Sequence, residues 1–337
     1  MKILIVKFGA LGDVVGALPF LNILRRLMPN AEIDWVVEPL SYPILDQHPA
    51  LDNIILFRRD QGFRQLFYQI KQLRKNHYDL VIDLQRILRS GLVTRLTGAR
   101  RRLGFDRDRC KEQSWLFTTE RIPAKPDTSH IVDQYIEFAR HLGATDLAIE
   151  YGIHLNNADR EAGLTFFSGQ HPRIALNIGA TKPANLWPAA SFARLAHLIH
   201  DRFGCRPLLT GNGPEDKQRA QAITKANQNV INCVGRMTLP ELMGTLETAD
   251  AVISADTGPL HLATGLGTPV IALFGAADIR RTGPYLHREY ALVGTAPCAP
   301  CRKRHCTQAT NQCLESISPE MALKQLTRLL DCQKIQT

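Results

Sequence analysis

Asp13 closes the segment Gly9-Ala10-Leu11-Gly12-Asp13, just after an apolar run and just before apolar residues at helical spacing. A carboxylate at the mouth of a helix is favoured in its ionised form by the dipole and by amides that lack intrahelical partners, so it can accept a proton. The plainer reading is an ordinary helix cap, a role Asp favours. The segment lacks the Gly-x-Gly-x-x-Gly spacing of a dinucleotide fingerprint, which argues against a nicotinamide cofactor. A second segment, Ser254-Ala255-Asp256-Thr257-Gly258-Pro259-Leu260-His261, again joins an apolar run to a helix. Gly258 permits close backbone approach and Pro259 suits a first helical turn, whose amides would point at a phosphate. His261, one turn further on, would add a hydrogen bond or a positive charge; its plainer reading is a helix histidine paired within the core.

Two clusters add to these. Between residues 86 and 111 lie Arg86, Arg89, Arg95, Arg100, Arg101, Arg102, Arg107, Arg109 and Lys111, against Asp106 and Asp108. Arginine forks suit phosphates and carboxylates, although a solvated helix face and surface loop would look alike. No nucleic-acid reader motif or aromatic stacking pattern accompanies them, so nucleic acid is not an expected partner. Cys298-Ala299-Pro300-Cys301 is followed by Cys306 and Cys313. The C-x2-C start is a common zinc knuckle, but the later intervals are tighter than in a paired zinc ribbon. A structural zinc, free thiols and a labile disulfide all remain open, and Arg302, Lys303 and Arg304 would favour thiolates.

The elements that must carry these residues alternate. KILIVKF (2–8) reads as a strand, 14–27 as a helix, then 32–38, 53–57 and 79–84 as strands, the last preceded by a helix at 64–75. A second series of strands runs through 173–180, 207–211, 229–235, 251–256 and 270–275, with helices near 191–203, 215–227 and 239–249. Such alternation predicts parallel sheets with helical crossovers, whose ligands lie beyond the carboxyl ends of the strands. The length of 337 residues suits two domains. With the polar stretch 150–172 read as a linker, the domains are 1–170 and 171–317, and a Ser-Pro-Glu start predicts a closing helix at 318–337. Composition is that of a globular enzyme. The absence of a signal-peptide pattern or a long apolar run, together with scattered cysteines, points to the cytoplasm. The net charge of +9 suggests an anionic partner.

Taken in order, the opening Ile-Val-Lys-Phe-Gly-Ala-Leu-Gly-Asp-Val, the pair Trp187-Pro188, the block Asp256–His261 and Phe274-Gly275 resemble glycosyltransferase family nine over essentially the full chain. The type members of that family are ADP-heptose lipopolysaccharide heptosyltransferases. The resemblance implies an α/β GT-B fold, with two Rossmann-like domains facing a central cleft. It also implies inverting, metal-independent transfer of heptose or a related sugar from a nucleoside diphosphate, ADP-heptose, to the lipopolysaccharide inner core, with no cofactor required. In that scheme Asp13 is the base, and Asp256, Thr257, Gly258 and His261 hold the diphosphate and sugar. Glu215 falls on the position that meets the ribose hydroxyls, and Met237 on one lying against the base; their plainer readings are a solvated glutamate and a core methionine. The amino-terminal domain, with Arg86, Arg89, Arg101 and Arg102, would bind an anionic glycolipid acceptor in peripheral contact with the cytoplasmic face of the inner membrane.

One departure stands out. Family members usually place a lysine or arginine just before the Trp-Pro pair, where this chain has Asn185 and Leu186. Lys182, with Thr181 beside it, would reach the same phosphate from the preceding loop. The change keeps two other readings open: a family-nine transferase with a different donor or acceptor, and a non-catalytic sugar-nucleotide-binding protein. A sugar-nucleotide epimerase of similar architecture would also need a diphosphate site, and the Gly-Asp opening argues against it.

Overall fold

Runs of β-branched and aliphatic residues too short for helices form the strands; the central strands of each sheet lie buried on both faces, as parallel strands under helical crossovers must be, and the edge strands are partly exposed. The structure, a computed structural model, describes residues 1–58, 62–123 and 130–336. It divides into two units, Met1–His154 and Leu155–Thr337.

The first unit holds strands β1 (Lys2–Val6), β2 (Glu32–Val37), β3 (Asn53–Leu56), β4 (Leu80–Asp83), β5 (Arg101–Phe105) and β6 (Glu120–Ile122). Its helices are α1 (Leu11–Leu27), α2 (Tyr42–Leu45), α3 (Gly62–Lys75), α4 (Leu88–Leu96) and α5 (Ile131–His141). The six strands pair in parallel in the order β3-β2-β1-β4-β5-β6. One face packs Leu4, Val6, Val36 and Val81 against Leu73 of α3 and Val93 of α4. Elsewhere in the unit α1 meets α5, with Phe20 and Phe138 edge to face at 6.1 Å.

The second unit holds β7 (Ile174–Asn177), β8 (Leu208–Thr210), β9 (Ile231–Asn232), β10 (Ala251–Ala255), β11 (Val270–Phe274) and β12 (Leu292–Val293). Its helices are α6 (Asn157–Phe166), α7 (Ala189–Phe203), α8 (Pro214–Ala226), α9 (Leu239–Thr248), α10 (Gly258–Gly265), α11 (Ile279–Thr282), α12 (Gln312–Glu315) and α13 (Pro319–Gln336). The strand order β12-β11-β10-β7-β8-β9 is that of the first sheet, read from the other edge. In both sheets the chain starts in the middle and reverses direction across it, which leaves a switch point beside the first strand: β1 next to β4, and β7 next to β10.

The packing divides the chain after His154, ahead of the expected boundary at residue 170. Segment 150–172, read as a linker, contains α6, whose Asn156 cap accepts from Asp159 N at 2.8 Å. α6 crosses α9 through two glycines. A Cβ on Gly163 would stand 2.2 Å from Gly244 C, and one on Gly244 2.0 Å from the Asp159 carbonyl, so the backbones themselves touch. α13 packs on α7 and sends Leu326 and Leu329 into the second core.

Candidate active site

In the first unit the switch point is built from two loops. After β1 the chain turns through Lys7–Ala10 into α1, with Asp13 in the first turn. Ala10 is the cap and makes no side-chain bond, so Asp13 is not the cap. Instead its Oδ2 faces Lys7 Nζ at 3.5 Å, with Lys7 2% and Asp13 43% exposed. A buried ammonium needs a counter-charge. Burial works to lower the Lys7 pKa, but the Asp13 carboxylate and Tyr135 outweigh it and leave it raised, so the cation persists. At the end of β4, buried Asp83 accepts from Gln85 N at 2.9 Å, Arg86 N at 3.4 Å and Ser90 Oγ at 2.9 Å. Burial nevertheless pushes its pKa up to about 6. Gln85 Oε1 in turn accepts from Phe8 N at 3.1 Å, tying this loop to the one before Asp13. The result is a solvent-open carboxylate anchored on a buried cation, an arrangement suited to taking a proton from a bound hydroxyl.

In the second unit the switch point is organised by Asn177, the last residue of β7, which carried no signal in the sequence. Its Nδ2 donates to the Gly179 carbonyl at 3.1 Å, Ser254 Oγ at 3.0 Å and Thr257 Oγ1 at 3.1 Å. The Thr257 hydroxyl, expected to hold a ligand, is thereby turned inward, and the residue caps α10. The amides of Gly258 and Leu260 begin that helix; Pro259 has none. Asp256 faces His261 Nε2 at 3.3 Å. Asn185 is buried and donates to the Asp256 carbonyl at 3.0 Å and its carboxylate at 3.4 Å. A neutral amide here satisfies Asp256 from within.

Thr181 and Lys182 are exposed on the loop after β7. That loop is braced by Arg219, which donates to the Ile178 and Trp187 carbonyls, and by Trp187 Nε1, which donates to the Ile317 carbonyl at 3.0 Å. Glu215 lies exposed in the first turn of α8. Its neighbour Asp216 turns back, accepting from Asn212 N at 2.9 Å and filling the space over Gly179, where a Cβ would come 2.1 Å from its Oδ2. Met237 Sδ accepts from Thr245 Oγ1 at 3.8 Å, which seats it on α9.

The model of glycosyltransferase family 9 (heptosyltransferase) matches residues 67–314. This chain belongs to glycosyltransferase family 9. The transferase is 29% identical to lipopolysaccharide heptosyltransferase 1 of Pseudomonas aeruginosa, with 98% of each chain covered. It superposes on E. coli ADP-heptose lps heptosyltransferase II with a TM-score of 0.81 at 22% identity, covering 99% of this chain and 100% of that one, a likeness of fold. E. coli heptosyltransferase WaaC with ADP gives a TM-score of 0.72 at 25% identity, with 97% of both covered. The fold is GT-B, built from two Rossmann-like α/β units.

Of the four arginines expected to meet an acceptor, two, Arg86 and Arg89, follow the carboxyl end of β4, the Asp13 edge of the sheet. Arg86 is buried beside Asp83, donates to Gln134 Oε1 at 3.0 Å and lies over the Phe105 ring at 4.6 Å. Arg89 is exposed on α4. Arg101 and Arg102 open β5 and so lie at the opposite, amino-terminal edge of the sheet. Arg101 forks onto Glu120 at 2.8 and 3.0 Å, and Arg102 donates to the Phe117 and Ala99 carbonyls.

The cysteine segment of the transferase lends the zinc expectation no support. Among the described residues no group of three or more His, Cys, Asp or Glu is arranged to hold a metal ion, and all eight cysteines are free. Cys313 is buried in the second core, and burial, with smaller contributions from Cys298, Cys301 and Cys306, pushes its thiol up. Arg302, expected to favour thiolates, is bound to Asp278 at 2.7 Å. The segment props the loop after β7: Asn311 Nδ2 donates to the Pro183 and Leu186 carbonyls, and the Arg304 carbonyl accepts from Ala184 N. No helix among the described residues is long and apolar enough to cross a membrane.

Proposed function

We propose that this transferase moves heptose from ADP-heptose to the inner core of lipopolysaccharide, with inversion and without a catalytic metal. The observation that carries the reading is the open Asp13 carboxylate paired with buried Lys7 at the switch point of the first sheet. Asp13 takes the proton of an acceptor hydroxyl as that oxygen bonds to the anomeric carbon. The bond from that carbon to the diphosphate breaks on the opposite face, and ADP leaves with the electron pair. A weak base suffices, because the hydroxyl becomes acidic only as the new bond forms. The amides that open α10, His261 and Lys182 stabilise the departing diphosphate. Lys182, exposed on the neighbouring loop with Thr181, supplies the cation that Asn185 does not. Glu215 reaches the ribose hydroxyls, and Met237 lies against the reacting centre.

The names of the relatives support this donor and acceptor: a lipopolysaccharide heptosyltransferase, an ADP-heptose enzyme and a complex with ADP. The acceptor is an anionic glycolipid met at the cytoplasmic face of the inner membrane, with Arg86 and Arg89 on its side of the reaction. Asn185 supports a second reading, a family 9 transferase with another donor. The test is incubation with ADP-heptose and other nucleotide sugars, together with purified truncated lipopolysaccharide, read by product mass. A gain of one heptose with ADP-heptose is expected. A different added mass selects the second reading, and ADP binding without any mass gain overturns both in favour of a non-catalytic binder.

A further inference from the structure

α4 is a helix with its small and polar residues inside and its leucines outside. Ser90, Gly91, Val93 and Thr94 are buried, whereas Leu88, Leu92 and Leu96 are 41%, 41% and 42% exposed. Recurring every fourth residue, the leucines form one stripe. Its orientation is locked from within. Ser90 Oγ donates to buried Asp83 at 2.9 Å, and a Cβ on Gly91 would come 2.7 Å from the Phe117 ring and 3.0 Å from Ser114. Turning the leucines inward would break the first contact and drive larger residues into the second. The apolar surface continues onto the helical turn at Gln113–Phe117, which packs on α4 and leaves Leu116 54% exposed. It also extends toward α3, which packs beside α4 and leaves Phe67 71% exposed.

Cations border this surface. Arg89 and Arg95 flank the stripe on α4, and Arg107 and Arg121 lie over the Trp115 ring next to Leu116, at 5.6 and 5.2 Å. The acidic neighbour, Glu112, accepts from Leu88 N at 2.7 Å and so serves to start α4. An apolar stripe rimmed by arginines is complementary to a layer that is anionic at its surface and hydrocarbon beneath. We propose that the face formed by α4 and the turn at Gln113–Phe117 docks this enzyme on an anionic phospholipid bilayer, the leucines entering the headgroup boundary and the arginines resting on lipid phosphates. This deepens the membrane contact in the functional reading and is separable from it, because vesicle binding is measured with no sugar transferred.

The test is flotation with vesicles of phosphatidylglycerol and phosphatidylethanolamine, compared with phosphatidylcholine alone. The parent is expected to float with the anionic vesicles, less so as salt rises. Leu92→Glu with Leu96→Glu should lower the bound fraction about tenfold or more, while transfer to a deacylated, water-soluble acceptor and the melting temperature stay close to the parent's. Leu92→Ser with Leu96→Ser, which add no charge, should act in the same direction. Vesicle binding undiminished in both double variants would overturn the proposal, as would a parent indifferent to anionic lipid. So would a concentration-dependent dimer that the substitutions dissociate in the absence of vesicle binding, which would assign the face to a second copy of the chain.

Discussion

Asp83→Asn should stabilise the first unit near neutral pH, although it removes a charge that sits beside Lys7 and Arg86. Burial raises the Asp83 pKa from an ordinary 3.8 to about 6; the hydrogen bonds from Gln85, Ser90 and Arg86 and the Lys7 charge oppose this without cancelling it. The folded state therefore holds this proton more tightly than the unfolded chain does. The contribution is greatest below the unfolded pKa and is lost as pH rises from about 4 to about 6. A rise of that size amounts to about 3 kcal/mol lost at neutral pH. Asparagine keeps the shape. Its oxygen can accept from Gln85 N and Arg86 N, and its amide can donate to Ser90 Oγ, whose own proton can turn from residue 83 to the Ile87 carbonyl at 2.8 Å. Lys7 loses one anion but retains Asp13 at 3.5 Å. A gain of roughly 1–3 kcal/mol is expected at pH 7.5 and close to none at pH 4. Native-state hydrogen exchange of the β4 amides, corrected for intrinsic rates, reads the opening free energy of this region. Weaker protection of the variant than of the parent at pH 7.5 would refute the reasoning, since attraction to Lys7 and Arg86 would then exceed the cost of burial.

Asp13→Asn is expected to lower kcat by about 10²–10⁴ with ADP affinity unchanged; turnover within twofold of the parent would leave Asp13 only the task of neutralising Lys7. Arg101→Ala with Arg102→Ala should shift the acceptor KM by less than about twofold, because both residues are committed to Glu120 and to carbonyls at the amino edge of the sheet. A tenfold rise in that KM would return them to the acceptor site. Cys313→Ser should cost about 1–3 kcal/mol by burying a hydroxyl beside Gly275 and Leu314, whereas exposed Cys298→Ser should cost less than about 0.5 kcal/mol. Thermal melting compares the two, and about one zinc per chain in protein purified without chelator would restore a metal site.

Both candidate segments were legible in the residues because each is a local event: a strand ends, a glycine turns the chain and a helix begins. The alternation of strands and helices likewise needs only neighbouring residues to be read, and it pointed to two parallel sheets. Where a residue's role depends on distant partners, the same reading stopped short. β5 begins with Arg101 and Arg102, so its exposed amino end looked like part of a charge cluster, and only its pairing with β4 makes it a strand. α6 looked like a linker because it meets α9 through Gly163 and Gly244, a close approach of backbones that leaves no apolar stripe.

The site divides in the same way. Asp13, Asp256, Gly258 and His261 were marked by type and position. Lys7 read as one more residue of the first strand, and its role comes from burial against Tyr135 and from the turn that brings Asp13 back over it. Asn177 had nothing to distinguish it, because a neutral amide at the end of an apolar strand carries no pattern. Its partners Ser254 and Thr257 lie 77 and 80 residues away and come within reach only when β10 pairs with β7. By itself the sequence determined which residues carry charge and where strands turn into helices, since those depend on short-range chemistry. Which charges are buried, which amide ties two strands together and which leucines are left facing outward were decided by tertiary packing, because burial and pairing are properties of neighbours that the chain order does not contain.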